Sequence, residues 1–449
     1  MRITRIACYV GIALNGYCWA QQPAPDLADV SLEELGKIQV FSASEHAQDV
    51  RDAPSSVTVI TADEIQRQGY RTLADVLRSV REFYVSYDRV YSYAGFRGFG
   101  RPGDYNSRIL LLVNGHRTND NIYDQAMLGT EFFLDLDLVE RIEVIRGPGS
   151  SLYGSNAFFA VINVITRSAS ELPGWQIAVE PSSFASYRAR VSYGGKALGA
   201  DLVISGTASN SAGQTLYFPD FDSTDTNNGI AQHLDFDRFR NLFFSSCRGS
   251  LTIQAGGNWR IKGVPTASWE MQFNDPLAFN RDQHQLVDLA YKPHYGPWEA
   301  SVRAYYDRYG YDAEWPYLNG EINVDWARGQ MWGTEIQFSR EAFGRHRFTL
   351  GNEIRNNLQQ DQRNFDTQPV PQIYVESHEK SWLWALYGQD EVALTHTLKV
   401  NAGLRFDHYS QIDNRVNPRL GLILRPLDQT AIKFLYGSAF RAPNVFERS

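Results

Sequence analysis

Cysteine is scarce in this chain, and its distribution argues against a fold held together by disulfides. The 449-residue sequence contains three cysteines, Cys8, Cys18 and Cys247. The first two lie within residues 1–20, where two arginines followed by an apolar segment are typical of a secretory signal peptide. Cleavage after Ala20 leaves Cys247 alone, so we expect no intramolecular disulfide in the mature chain. Its stability must then come from packing and strand pairing.

Long apolar runs are also missing beyond the N-terminus. No window there holds the roughly 18 uninterrupted apolar residues that a transmembrane helix requires. This excludes a helical membrane protein. Because lipid offers no hydrogen-bond partners to the backbone, any membrane-spanning part of the chain must consist of β-strands.

Patterns typical of catalysis, metal binding and nucleic-acid binding are absent as well. The formal net charge is −8 and no run rich in lysine or arginine occurs, so nucleic acid is not an expected partner. The nine histidines are scattered and form no His-Glu-x-x-His or Cys/His cluster. The glycine-rich stretch 98–103 precedes a strand, which favours a turn over a dinucleotide-binding loop. We expect neither an enzyme nor a resident cofactor or transition-metal site.

Aromatic residues, by contrast, are abundant. Tyr, Phe and Trp make up 13% of the chain, yet the mean hydropathy is only −0.37. Many rings combined with low hydropathy fit a β-barrel with aromatic girdles and a polar interior. A soluble β-sandwich shares this composition, so composition alone leaves both architectures open.

Residues 57–166 carry a mixed α/β pattern. The segment 57–61 alternates as a strand, and 61–64 has the Thr-x-x-Glu spacing of a helix capping box. Apolar residues at helical spacing in 72–80 predict a second helix. An apolar strand at 108–113 ends in an Asn-Gly turn, and two further strands flank a glycine-rich turn within 138–166.

After Ser168 the pattern changes to alternating segments of about ten residues separated by turn residues. In Trp298–Asp307 the aromatic and small apolar side chains fall on one face, and most of the charged ones fall on the other. The same alternation recurs in 332–339 and 398–407. The charged face meets water in a soluble sandwich and lines the lumen in a membrane barrel.

Four segments, in this order and spacing, closely resemble the plug domain of TonB-dependent outer-membrane receptors. They are VTVITADEIQRQGYRTLADVLRSV from Val57, RGFG from Arg97, ILLLVNGHRTND from Ile109 and VERIEVIRGPGS from Val139. The resemblance implies a mixed α/β plug domain inside an antiparallel transmembrane β-barrel in the bacterial outer membrane. It divides the chain into a signal peptide (1–20), a periplasmic leader (21–50), a plug domain (51–168) and a barrel region (169–449).

The number of alternating segments predicts an incomplete barrel. About 13 such segments follow Trp175, whereas the barrel of this family has about 22 strands. An unclosed barrel leaves backbone edges bare in lipid. We therefore expect a truncated receptor with roughly nine strands missing, and no efficient transport by such a form.

The resemblance also implies functional positions. The TonB box, which the periplasmic energy-coupling protein TonB grips by strand addition, is expected at Ile38, Gln39, Val40, Phe41, Ser42 and Ala43. Contacts between plug and barrel are expected at Arg141, Glu143 and Arg146, with Glu299, Glu335 and Glu353 of the barrel as candidate partners. Plain surface charge is the alternative for these plug residues.

Ligand contacts are expected in two loops of the plug, at Arg97, Phe99, Arg101, Asp104, Asn119 and Tyr123. The aromatic and polar stretches 269–279 and 315–317 are further candidates. The acidic segment 211–237 reads as an extracellular loop, where Asp220, Asp222 and Asp225 are candidate calcium ligands. No EF-hand spacing is present, so a solvated loop is the default interpretation.

These features predict energy-coupled uptake of a large, scarce nutrient of the ferric siderophore or cobalamin class. The implied partners are TonB, outer-membrane lipid and a metal-chelate or cobalamin-like ligand. The alternative is a porin-like channel without energy coupling, or a secreted β-rich adhesion protein. The plug-like region argues against both alternatives, because neither needs a helix-capped α/β insert before its strands. The sequence does not identify the substrate.

Overall fold

The computed structural model describes residues 39–40, 48–427 and 430–448. The expected signal peptide and most of the expected leader lie outside this part of the chain. Within it, no helix is long and apolar enough to cross a membrane.

The N-terminal part folds into a mixed α/β unit, which we call the plug. Its sheet contains β3 (Ser56–Thr61), β6 (Ile109–Val113), β7 (His116–Arg117), β8 (Val139–Arg146) and β9 (Ala160–Thr166), in the order β3-β8-β9-β6-β7. β6 and β9 are parallel, and the other neighbours are antiparallel. Two small hairpins add β1 (Gln39–Val40) with β2 (Gln48–Asp49), and β4 (Phe83–Tyr87) with β5 (Ser92–Phe96).

Three short helices belong to the plug: α1 (Ala62–Gln68), α2 (Leu73–Ser79) and α3 (Ser150–Tyr153). The threonine half of the capping box predicted for α1 is confirmed, and α2 is capped by Thr72 and Asp75 as its sequence also predicts. Thr61 Oγ1 accepts from the amide of Glu64, and Thr72 forms a reciprocal capping box with Asp75. α1 ends at Gly69 with a φ of 67°, a left-handed conformation that glycine adopts without steric cost.

The plug core lies on both faces of its central strands. β6 is buried along its whole length, and most of β9 is buried too. One face packs on the apolar side of α2, and the other meets a small cluster that includes Ile145 and Ala157. A central parallel pair covered on both faces favours continuous apolar runs, which explains the sequence Ile-Leu-Leu-Leu-Val in β6.

The C-terminal part forms one antiparallel sheet, the barrel sheet, in which consecutive long strands pair as hairpins. Its strands are β10 (Gly174–Ser182), β11 (Ser186–Ala197), β12 (Ala200–Ser211), β15 (Asp237–Arg248), β16 (Leu251–Gly263), β17 (Phe279–Tyr291), β19 (Trp298–Pro316), β20 (Ile322–Ala342), β21 (His346–Gln368), β22 (Gln372–Ala393), β23 (Leu398–Tyr409), β24 (Arg415–Leu427) and β25 (Thr430–Gly437). Three two-residue strands complete the described part: β13 (Leu216–Tyr217), β14 (Ile230–Ala231) and β18 (His294–Tyr295). No pairing between described residues joins β10 to β25, so the barrel sheet is open there.

The two ends of the barrel sheet differ. One end, the short-turn end, carries tight connections such as 198–199 and 249–250. The opposite end, the long-loop end, carries the connections 212–236 and 264–278, which contain the short 3-10 segments Pro219–Phe221, Thr224–Gly229 and Ser268–Glu270. Outer-membrane barrels have short periplasmic turns and longer extracellular loops.

The two faces of the barrel sheet differ as the alternation predicted. Along β19, Val302 and Tyr306 are exposed on the outer face, whereas Arg303 and Asp307 are buried on the inner face. Inner-face side chains of β11, β16, β19, β23 and β25 contact the plug. The barrel sheet therefore curves around the plug and presents an apolar surface outward.

Candidate functional site

Buried charges join the plug to the barrel sheet near the long-loop end. Arg260 of β16 lies between Asp237 and Asp282 on the neighbouring strands, with N–O distances of 3.3 Å to each. It also donates to the carbonyl oxygen of Val90 in the plug at 2.8 Å and lies 3.7 Å from Glu131 of the plug. Only 1% of its side chain is exposed. A single buried cation thus neutralises carboxylates from both parts of the molecule.

A second buried cation contacts the plug at α3. Arg405 of β23 pairs with Glu353 and Asp407 at 2.5 and 2.8 Å, and donates to the carbonyl oxygen of Leu152 in α3 at 2.8 Å. Gly154 allows this close approach, because a Cβ atom there would lie only 3.0 Å from the guanidinium group of Arg405. The plug backbone therefore approaches the barrel wall closely at this point.

The turn between β6 and β7 meets three barrel strands. Asn114 donates to Gln254 of β16 at 2.5 Å, and its carbonyl oxygen accepts from Arg303 of β19 at 2.8 Å. The next contact is made by His116, whose Nε2 lies 3.0 Å from Asp307 and whose Nδ1 lies 3.8 Å from Asp288. The predicted Asn-Gly turn is therefore the part of the plug that reaches this wall.

On another side of the plug, two acidic residues meet the first barrel strands. Asp135 caps the 3-10 segment Leu136–Leu138, and Asp137 is the middle residue of that segment. Arg188 of β11 lies 3.7 Å from Asp135 and 3.5 Å from Asp137, and Arg190 lies 3.5 Å from Asp137. Thr207 of β12 donates to Asp135 at 3.0 Å. Contacts of this kind therefore surround the plug.

Basic side chains from the last strands hold the plug segment 50–55. Lys433 Nζ donates to the carbonyl oxygens of residues 50, 53 and 55 at 2.8, 2.7 and 3.1 Å. Arg419 donates to the carbonyl oxygen of Pro54 at 2.6 Å and to the hydroxyl of Ser55 at 2.7 Å. We call residues 50–55 together with their barrel partners the N-terminal clamp.

Asp52 is the acidic member of the N-terminal clamp. It pairs with Lys399 at 2.8 Å and with Arg425 at 3.1 Å. Burial alone would raise the pKa of Asp52, but these two cations hold it below its ordinary value of 3.8. Lys399 begins β23 beside a short turn, so the clamp lies toward the short-turn end.

Of Arg141, Glu143 and Arg146, which were expected to contact the barrel, the two arginines require a correction. Arg141 donates to Glu140 and Glu143 at 2.5 and 3.0 Å, and Arg146 donates to Glu82 at 2.9 Å, so the bonds of both arginines stay inside the plug. The reason is topological, because β8 lies between β3 and β9 within the plug sheet.

The three barrel carboxylates named as their candidate partners are engaged elsewhere. Glu299 pairs with Arg347, Glu335 accepts from the hydroxyl of Tyr387 at 2.8 Å, and Glu353 pairs with Arg405. All of these partners belong to the barrel sheet. The sequence therefore placed these carboxylates on the inner face but did not identify what they bind.

The expected ligand loops divide into two groups. Arg97, Phe99 and Arg101 are exposed, and Asp104 is half-buried and pairs with Arg108. Their exposure leaves them available to a ligand.

Asn119 and Tyr123 are instead buried, with 2% and 5% exposure, which corrects their assignment as ligand-facing. Asn119 bonds three backbone groups of the plug, and Tyr123 stacks on Tyr105 with ring centroids 4.7 Å apart. Both lie in a segment wedged between the plug and the barrel sheet.

Asp120 organises this wedged segment. Its carboxylate accepts from the amides of residues 122, 123 and 125 at 2.7 to 2.8 Å. Burial raises the pKa of Asp120 to about 7, while these backbone donors favour its charged form. Asn121, next to it, bonds the carbonyl oxygens of Gln330 and Gln359 at 3.2 and 3.0 Å. Side-chain hydrogen bonds thus hold the segment in place.

A cavity of about 370 Å³, which we call the outer pocket, lies at the long-loop end. Its aromatic walls are Trp269, Trp315, Tyr317 and Tyr374. Three carboxylates, Glu321, Asp325 and Asp366, also line it. It contains residues from both stretches that the sequence singled out, 269–279 and 315–317. Rings beside carboxylates can receive a ligand that combines flat or apolar groups with hydrogen-bond donors.

The candidate calcium ligands gain no support from their surroundings. Asp220, Asp222 and Asp225 lie in the exposed part of the loop 212–236, and Asp222 accepts a hydrogen bond from Tyr217 at 2.9 Å. Across the described ranges, no three acidic, histidine or cysteine side chains are arranged to hold a metal ion.

Two family models match the chain. The TonB-dependent receptor plug domain matches residues 49–161, and the TonB-dependent receptor-like β-barrel matches residues 174–449. The chain belongs to the TonB-dependent receptor family. Members of this family lie in the bacterial outer membrane, so the apolar outer face of the barrel sheet is the lipid-facing one and the long-loop end is extracellular.

Individual relatives agree with this family assignment. The iron-regulated outer membrane virulence protein of Vibrio cholerae is 25% identical over 423 residues, which cover 91% of this chain and 60% of that protein. The vitamin B12 transporter BtuB of Vibrio vulnificus is 36% identical over 157 residues, covering 34% of this chain and 24% of the relative. The ferric enterobactin receptor structure of Pseudomonas aeruginosa superposes with a TM-score of 0.67 at 16% identity, covering 88% of this chain and 63% of that one.

The chain thus spans about 60% of the length of the Vibrio cholerae relative. Sequence reasoning did not predict which barrel residues contact the plug. Alternation put Arg303, Asp307 and Arg405 on the inner face, which was a usable signal. Nothing in the sequence, however, linked them to the plug groups that they bind.

Proposed function

We propose that this chain belongs to a receptor for the energy-coupled uptake of a large, scarce nutrient of the ferric siderophore or cobalamin class. The observation that carries this proposal is the seating of the plug inside the barrel sheet through buried charges such as Arg260 and Arg405. A plug held in this way obstructs free diffusion of a large solute. Passage then requires work to displace part of the plug from the barrel sheet, and a passive porin-like channel has no source of such work.

The outer pocket supports a receptor role for the extracellular end. Aromatic rings and carboxylates converge there on a cavity of about 370 Å³. A ferric siderophore or a corrinoid is larger than this cavity, so we propose that the pocket contacts one part of the ligand while the exposed plug residues Arg97, Phe99 and Arg101 contact another. The named relatives include a vitamin B12 transporter and a ferric enterobactin receptor, which is the substrate range proposed.

We propose that the N-terminal segment receives the work from TonB. Of the expected TonB box, Ile38, Phe41, Ser42 and Ala43 lie outside the described residues, whereas Gln39 and Val40 form β1. This strand pairs with β2, and Val40 is 1% exposed beside Ala53. An exchange of β2 for a strand of TonB would transmit tension directly to the N-terminal clamp.

Replacing Val40 by proline tests this proposal. Proline removes the amide donor that strand addition uses, so a full-length receptor with Val40→Pro should retain ligand binding at the cell surface but lose uptake. Val40→Thr is the matched control, because it keeps the amide and the β-branched shape. Uptake is measured with radiolabelled ferrichrome, ferric enterobactin and cyanocobalamin. Normal uptake by Val40→Pro would show that the box is assigned wrongly.

A further inference from the structure

The inner face of β19 connects two cavities at opposite ends of the receptor. Its inward-facing side chains run from Glu299 at the short-turn end to Trp315 at the long-loop end. At about 3.3 Å per residue this row is roughly 50 Å long. Trp315 lines the outer pocket, and Glu299 lines a second cavity of about 380 Å³, which we call the inner cavity.

The inner cavity lies between the plug and strands β19 to β21. From β19 it is lined by Glu299, Ser301, Arg303 and Tyr305. It reaches Lys292 and His294 in the connection before β19. The inner cavity therefore extends to the periplasmic side of the receptor.

Only a short stretch of the row is covered by the plug segment 116–123. Tyr123 packs edge-on against Tyr309 and Tyr311, with ring centroids 6.1 Å away in each case. One step further toward the periplasm, His116 binds Asp307 at 3.0 Å. These contacts separate the outer pocket from the inner cavity, and Asp307 lies midway along the row.

The obstructing segment begins at the edge of the plug sheet. β7, which contains His116, is an edge strand that pairs with only two residues of β6. Residues 118–128 form no helix or strand, and the side chains of Asn119, Asp120 and Asn121 hold the first part of the segment. Displacing it breaks the bonds of Asn119 to β6 but leaves the strand pairing of β3, β8, β9 and β6 in place.

We propose that the substrate passes along the inner face of β19, and that residues 116–123 are the gate of this passage. The inference rests on the proposed uptake function, but it concerns the location of the route rather than its coupling to TonB. Moving the gate joins the outer pocket to the inner cavity. The rest of the plug remains anchored by contacts such as those of Arg405 and Arg188.

Removing the gate side chains tests the route without a known substrate. A His116→Ala/Tyr123→Ala receptor should admit vancomycin, an antibiotic that the outer membrane excludes, and so lower its inhibitory concentration several-fold. The matched control is Asp135→Ala/Asp137→Ala, which removes as many plug–barrel contacts on the side of β11. This control should leave the inhibitory concentration unchanged. Equal sensitisation by both variants, or none by the gate variant, would overturn the proposal.

A disulfide lock gives an independent result if the gate variant fails to fold, as judged by heat-modifiable migration. A Cβ atom at Gly329 would lie 3.2 Å from Asn121 Cγ, so Asn121→Cys/Gly329→Cys in a Cys247→Ser background should form a disulfide across the gate. This lock should abolish uptake of the chelate that the receptor binds, with recovery in reductant.

The control lock is Asp135→Cys/Thr207→Cys, which ties the plug to β12 and should leave uptake intact. Uptake that survives the gate lock, or that is abolished equally by both locks, would place the route elsewhere. Normal uptake by Val40→Pro would instead refute the coupling and leave the route standing.

Discussion

Replacing Arg260 by methionine should destabilise the plug segment that this arginine holds. The change leaves the carboxylates of Glu131 and Asp282, which are 2% and 3% exposed, without their cation. It also removes the donor to the carbonyl oxygen of Val90. Breaking a buried ion pair costs about 3–5 kcal/mol. Because Asp237 keeps 18% exposure and partial solvation, we expect about 3 kcal/mol.

Hydrogen exchange measures this loss at the affected segment. A cost of about 3 kcal/mol in local opening corresponds to roughly 100-fold faster amide exchange, and we expect this increase in residues 88–91. Arg328→Met is the matched control, because Arg328 pairs with Asp312 at 2.5 Å but is 35% exposed. An exposed pair contributes at most about 1 kcal/mol, and exchange at 88–91 should not change in this variant.

Neutralising Asp282, which loses its cation in Arg260→Met, should restore part of the lost stability. In the double variant Arg260→Met/Asp282→Asn, one buried charge is removed together with the cation, and part of the protection at 88–91 should return. If Arg260→Met exchanges there no faster than the Arg328→Met control, buried charge does not hold the plug in this region, and the reasoning is refuted.

Three further predictions concern the plug and its clamp. Lys433→Met should speed amide exchange in residues 50–55 by about tenfold or more, because hydrogen bonds to charged donors contribute about 1.5–3 kcal/mol; the exposed Lys196→Met should not. The pKa of Asp52 is lowered on folding, so its stabilising contribution is complete above pH 3.8 and is lost as the pH falls through the lowered pKa. Proteolysis of residues 50–55 should rise correspondingly on acidification, and Asp52→Asn should abolish that dependence. Gly256→Ala should lower the free energy of unfolding by about 1–3 kcal/mol through overpacking, since its Cβ atom would lie 2.5 Å from the ring of Phe133. The plug should therefore resist protease less well.

Each of these predictions has an outcome that contradicts it. Unchanged exchange in Lys433→Met would mean that the N-terminal clamp is held by its other partners. A persistent acid effect in Asp52→Asn would assign the titration to another group. For Gly256→Ala the control is Gly206→Ala, where the nearest atom would be 3.5 Å away; equal protease resistance in both would show that Phe133 moves freely.

Local sequence patterns were sufficient to predict the helices, strands and turns of the plug and the barrel sheet that are named below. The caps of α1 and α2 involve residues three positions apart, and the inner and outer faces of β19 follow from the two-residue period of a strand. The Asn-Gly turn after β6 is likewise a local signal. Each depends on near neighbours in the chain, which is why the sequence alone predicted them.

The contacts that define the candidate site join residues that lie far apart in the chain. His116 and Asp307 are 191 positions apart, and Lys433 lies 380 positions from Ala53. An inward-facing charge has many candidate partners of opposite sign, and the curvature of the barrel sheet decides which one it meets. The same long-range packing buries Asn119 and Tyr123, which the family resemblance had suggested would face a ligand.

By itself, then, the sequence determined a capped α/β plug and alternating barrel strands with one charged face, because these depend on the periodicity and spacing of neighbouring residues. Its resemblance to the plug domain indicated the receptor family. Only the tertiary structure decided how the plug is held, because the partners of Arg260, Arg405 and His116 come from strands distant in the chain. It also showed that β19 lines both the outer pocket and the inner cavity. Both cavities are formed by residues that lie far apart in the chain, so local patterns do not predict them.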